Sequence, residues 1–98
     1  RTCGNFLRKD DWDIPGNDML PSPVQLSDYA SCCIRCQTTL GCKAFAYSPS
    51  TKQCWPKTST GDGGKPEGDR ISGYSRKYLL ARETQQTRLL HRSMLSDL

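Results

Sequence analysis

The stretch SDYASCCIRCQTTLGCKAFAYSPSTKQCWPK, residues 27–57, decides the fold. Ser27 is a suitable N-cap, Asp28 puts a negative charge in the first turn, and Gly41 is a natural stop after Leu40. The spacing therefore predicts one helix over about 28–39. The next six residues, Cys42 to Tyr47, alternate in size, with Cys42, Ala44 and Ala46 on one side and Lys43, Phe45 and Tyr47 on the other, as a strand requires. Ser48 to Lys52 supplies turn residues, and Gln53 to Lys57 returns as a second strand. A hairpin symmetric about Thr51 sets Trp55 opposite Tyr47 and Lys57 opposite Phe45. Pro56 donates nothing to a ladder, so this strand is expected to have one unpaired side there.

Cys32 and Cys36 lie four apart and leave one helix face about a turn from each other. In the symmetric hairpin Cys42 and Cys54 share the face of Ala44 and Ala46, so four sulfurs converge between helix and sheet, with small alanines permitting the approach disulfides need. The pairs expected are Cys36–Cys42 and Cys32–Cys54. Cys3 and Cys33 are left to join the amino-terminal arm to the helix. A zinc site is the competing reading, but adjacent Cys32 and Cys33 lie inside the helix and the one histidine, His91, is remote, so no metal and no cofactor are expected. Cys33-Ile34-Arg35-Cys36 has redox-motif spacing but does not follow a strand at a helix N-terminus, where a thiolate would be stabilised.

Composition agrees with a stapled domain. In 98 residues only 35% are hydrophobic, and mean hydropathy is −0.70. Burial alone barely offsets the roughly 1.5 kcal/mol of conformational entropy lost per ordered residue. Six cysteines in so short a chain imply an oxidising compartment outside the cytosol. No apolar run approaches the roughly 18 residues of a membrane span. The chain opens on Arg1 without an apolar leader and is read as a mature or excised piece of a secreted protein, monomeric as an isolated module.

Outward from the centre, the loop Thr58 to Asp69 holds four glycines and a proline and reads as an exposed irregular excursion, followed by a strand over 70–75. The net charge of +4 is uneven: residues 1–74 carry nine Lys/Arg against eight Asp/Glu, whereas residues 75–98 carry five against two. The division expected is a domain over 1–76 and a basic tail or linker over 77–98, disordered or partly helical. The nearly neutral domain offers no basic stripe for nucleic acid.

The ordered set Asp13-Ile14-Pro15-Gly16-Asn17-Asp18, Cys32-x3-Cys36, Gly41-Cys42-Lys43-Ala44-Phe45-Ala46-Tyr47, Cys54-Trp55-Pro56-Lys57 and Ser72-Gly73 closely resembles the PAN/apple domain over about residues 10–76. The resemblance implies an α+β fold, an antiparallel sheet curled around one helix with two disulfides from helix to hairpin. It also implies an extracellular module, like those of secreted adhesins and cell-wall-binding lectins, that binds proteins or carbohydrates and does not catalyse. Two features depart from the family: Pro56 stands where leucine is common, and nothing after Cys54 is available to bridge the two termini.

The binding residues expected are Lys43, Tyr47, Trp55 and Lys57, on the sheet face turned away from the helix. Aromatic rings flanked by amines suit the apolar face and hydroxyls of a sugar or anchor a protein contact. Phe45 shares that face but, with Trp55, has the alternative of a second small core under the arm, covered by Phe6 and Trp12. Asp13 and Asp18 are read as turn caps in a Pro/Gly loop, and no Ser, His and acid set converges, so an enzyme is not expected. Carbohydrate recognition is the leading expectation, with protein interaction or adhesion inside a larger secreted protein as the alternative.

Overall fold

A computed structural model describes residues 3–81 of the chain. Strand β1 spans Phe6–Asp13, β2 Val24–Gln25, helix α1 Tyr29–Gln37, β3 Ala44–Ser48, β4 Gln53–Lys57 and β5 Lys65–Ser75. They form one antiparallel sheet in the order β1-β5-β3-β4-β2, with α1 packed on one face. Three disulfides, Cys32–Cys54, Cys36–Cys42 and Cys3–Cys33, tie that helix to β4, to the start of the hairpin and to the arm, with Cα separations of 5.5, 5.3 and 5.9 Å.

Helix α1 is shorter than its spacing predicts at both ends. Asp28, rather than Ser27, is the cap: its backbone is extended and its carboxylate accepts the Ser31 N–H at 2.8 Å. At the other end the Thr38 and Thr39 hydroxyls bond back to the carbonyls of Ile34 and Arg35, offering the backbone an alternative to another turn. Gly41, at φ +88°, then reverses the chain.

The hairpin register differs by one residue from the symmetric reading. Ser48 pairs with Gln53, Tyr47 with Cys54, Ala46 with Trp55, Phe45 with Pro56 and Ala44 with Lys57. The connection is Pro49 to Lys52, closed by Lys52 N–H to Ser48 O at 2.8 Å with Lys52 in the left-handed region. A one-residue slip exchanges the faces of a strand, so Phe45 and Tyr47 turn toward the helix and join Cys32, Cys33, Cys36 and Cys54 in the main core. The Phe45 ring lies 5.6 Å from Phe6 and 5.2 Å from Tyr29. Ala44 faces the other side, in a second cluster with Ile14 and Tyr74. Cys42 precedes β3 and packs against the helix-side core, so it does not share the face of Ala44. β2 pairs only with Gln53 and Cys54, stopping short of Pro56, whose carbonyl accepts from Met19 N–H at 2.9 Å.

The Gly-rich stretch is not irregular throughout, because β5 begins at Lys65, pairing Lys65 with Asp13 and Pro66 with Trp12. Pro66 is tolerated since β3 reaches only as far as Ile71, leaving this part of β5 a two-stranded ribbon with β1. The turn before it needs Gly64: φ is +110°, and a Cβ there would fall 2.1 Å from Trp12 Nε1 and 2.7 Å from the Asp13 carbonyl. Trp12 Nε1 donates to the Tyr74 hydroxyl at 2.7 Å, and that hydroxyl donates to Gly63 O, pinning the loop to the sheet. β1 is an edge strand, and its bulge at Asp11 together with Arg8, Lys9 and Asp10 discourages pairing with another chain.

Candidate binding cleft

The four residues expected to share a binding face are separated. Tyr47 is 2% exposed and donates its hydroxyl to Leu26 O at 2.8 Å; burial pushes its phenol above the ordinary value. Lys57 is 4% exposed, with Nζ 2.5 Å from Asp18 Oδ1. Neither has a wet tip, and Asp18 is an ion-pair partner rather than a turn cap. Trp55 is half-buried beneath the Arg70 guanidinium, 4.9 Å from its ring centroid. Phe45 is fully buried against Phe6, as a core residue on the helix side.

Lys43 alone among them opens onto a cleft of about 580 Å³ between the end of α1 and the end of β5. One wall is the loop from Gln37 to Lys43, which the Cys36–Cys42 bridge ties back on the helix. Thr39 N–H to Cys36 O and Cys42 N–H to Thr39 O, both 3.1 Å, hold its turn. The other wall is Ser75, Lys77, Tyr78 and Ala81, where the chain continues helically from residue 76 after β5. Asn5 and Phe6 close the base. The walls are joined by Ser75 N–H to Lys43 O at 3.0 Å and by Arg76 N–H to Asn5 O at 2.8 Å. Lys43 Nζ lies 5.4 Å from the Tyr78 ring centroid, spanning the cleft from one wall to the other. Leu40, 99% exposed, stands on the rim.

The cleft is within the size range of small-ligand sites, roughly 300–1,000 Å³. Its lining includes the aromatic residues Phe6 and Tyr78, the amide residues Asn5 and Gln37 and the lysines Lys43 and Lys77. Asn5, Gln37, Leu40, Lys77 and Tyr78 were not singled out by the sequence, because the site joins both ends of the described chain to a loop far from either. The one signal available was Tyr78, an aromatic placed just after a strand. Residues 82–98, with His91 and most of the basic tail, lie outside the described residues.

All six cysteines are bridged, and among the described residues no helix is long and apolar enough to cross a membrane. Among the described residues, a five-stranded antiparallel sheet stapled to helix α1 defines a small cystine-rich α+β module. Residues 12–57 match the family model described as the PAN domain, and the fold is consistent with a PAN/apple domain. No curated protein and no solved structure matches the chain. PAN domains are in general protein- or carbohydrate-binding modules without catalytic activity, and those with several disulfides are typical of extracellular proteins.

Proposed function

We propose that this chain is a secreted, non-catalytic module that binds carbohydrate in the cleft between Lys43 and Tyr78. The observation that carries the reading is the lining: an aromatic ring for the apolar face of a sugar, beside the amides of Asn5 and Gln37 and the amines of Lys43 and Lys77 for its hydroxyls. The loop wall is covalently fixed by Cys36–Cys42, so little ordering entropy opposes binding. A glycan array probed with the whole chain, followed by titration of the best ligand, tests it. Tyr78→Ala is expected to weaken binding about tenfold or more; equal affinity of wild type and variant removes the cleft from consideration.

A protein ligand is the second reading, favoured by Leu40, an almost completely exposed leucine on the cleft rim. It predicts an empty array and an extracellular partner whose capture is lost in Leu40→Ser.

A further inference from the structure

The charge of the cleft narrows its ligand, granting that the ligand is a carbohydrate. The described lining contains two ammonium groups, Lys43 and Lys77, and no aspartate or glutamate. Among the described residues the ion pairs are Arg8–Asp10, Lys57–Asp18 and Arg70–Asp69, so no described carboxylate neutralises either cleft lysine. Of the other described bases, Arg8, Lys57 and Arg70 have an acid within ion-pair distance, and Lys9, Arg35, Lys52, Lys65 and Arg76 do not. What sets the cleft apart is that two amines line one depression with no acid among its lining residues. Lys43 is not a freely waving surface amine either, since its strand end is fixed by two backbone hydrogen bonds, to Lys57 O and from Ser75 N–H, and its head rests near the Tyr78 ring. In sequence the cleft wall runs into a segment where Arg82, Arg88 and Arg92 outnumber acids, so the positive sign is continued in composition beyond Ala81.

We propose that the cleft selects acidic sugars, with the carboxylate of a uronate or the sulfate of a sulfated residue meeting the ammonium groups of Lys43 and Lys77. Tyr78 and the amides then read the ring itself. An anion held between two amines is a charge-assisted contact and discriminates against the neutral sugar of the same shape.

The test uses the full 98-residue chain and three probes: trigalacturonate, its methyl ester and a chondroitin sulfate tetrasaccharide. Each is titrated by calorimetry at low and at physiological salt. The expected result is binding of trigalacturonate or of the sulfated probe about tenfold tighter than the ester, weakening with salt. Which of the two acids binds separates carboxylate from sulfate recognition. Lys43→Gln and Lys77→Gln are each expected to remove most of the preference for acid over ester, weakening the acid far more than the ester, while leaving the far-ultraviolet spectrum unchanged. If the ester binds as well as the acid, the acidic preference is overturned and the sugar cleft stands. If none of the three probes binds at millimolar concentration and the array is also empty, the carbohydrate reading falls with it. If acid binding survives both lysine variants and disappears on replacing Arg82, Arg88 and Arg92 with glutamine, the anion is held outside the cleft and the proposal is overturned.

Discussion

Gly73 makes room for the central ring of the core, and adding one methyl group there tests how tightly the sheet and helix are fitted. A Cβ on Gly73 would lie 2.3 Å from Phe45 Cε1 and 2.4 Å from Cζ, whereas carbon atoms in contact sit about 3.5–4.0 Å apart. The ring must withdraw by about 1 Å or more, yet it is fully buried between Phe6 and Tyr29, and Phe45 is the direct ladder partner of Gly73. Either β5 moves off β3 or the ring leaves its rotamer. Overpacking of this kind costs about 1–3 kcal/mol. With about 4–8 °C of Tm per kcal/mol for a domain of this size, Gly73→Ala melts at least about 4 °C lower with its disulfides intact. Phe45→Leu supplies the control. If the clash is the cause, the double variant is less destabilised than the sum of the single ones by about 1 kcal/mol. A Gly73→Ala protein that melts with wild type, or single effects that add to within about 0.5 kcal/mol, refutes the reasoning.

Asp18→Ala is expected to cost about 2–4 kcal/mol, because it strands the buried Lys57 ammonium, while Lys57→Met costs less because Asp18 is partly exposed and regains water; equal costs in urea titrations contradict the asymmetry. Asp69 accepts from the Ser48 hydroxyl, and then from the hydroxyl and N–H of Ser50, which hold its carboxyl below the ordinary value of 3.8. A depressed folded pKa means stability that is complete above the ordinary value and lost as pH falls through the folded one. Tm is therefore flat from pH 7 to about 5 and falls in acid, and Asp69→Asn shows a shallower acid slope; an unchanged slope excludes the contact. Removing Cys36–Cys42, which closes a separation of 6, costs about 2 kcal/mol in the chain-entropy model, against about 3 for Cys32–Cys54 with its separation of 22. The smaller loss is nonetheless the one expected to abolish ligand binding, since it frees a cleft wall. Retained affinity in Cys36→Ala/Cys42→Ala argues against that role.

What the sequence disclosed depended on range. The span of β4 and the helix carrying Cys32 and Cys36 were readable from neighbours in the chain. The facing of Phe45 and Tyr47 was not, because size alternation is the same in either phase and a four-residue connection differs from a five-residue one by a single position. The room that settles the phase comes from Gly73, on a different strand. Lys57 read as a wet amine since its counter-ion, Asp18, lies in another loop. β1 has no alternating apolar pattern to betray it, its edge position being guarded by charges, and the start of β5 was hidden by glycines that serve the preceding turn. The cleft was least visible: Lys43 was singled out for a neighbouring face, and Tyr78 was assigned to a tail.

The bridge from Cys3 to Cys33 also governs how the module meets mechanical load. Tension applied at Cys3 passes straight into the helix through sulfur, then from Cys32 to Cys54, so everything between Cys3 and Cys54 is shielded from stretching. Only the segment after Cys54 is left to extend, and β5, lying between β1 and β3, is the strand that must be stripped away. Since Ser75 and Arg76 at the end of β5 anchor the cleft, a pulled module gives up the proposed ligand site early and keeps its bridged half to the last.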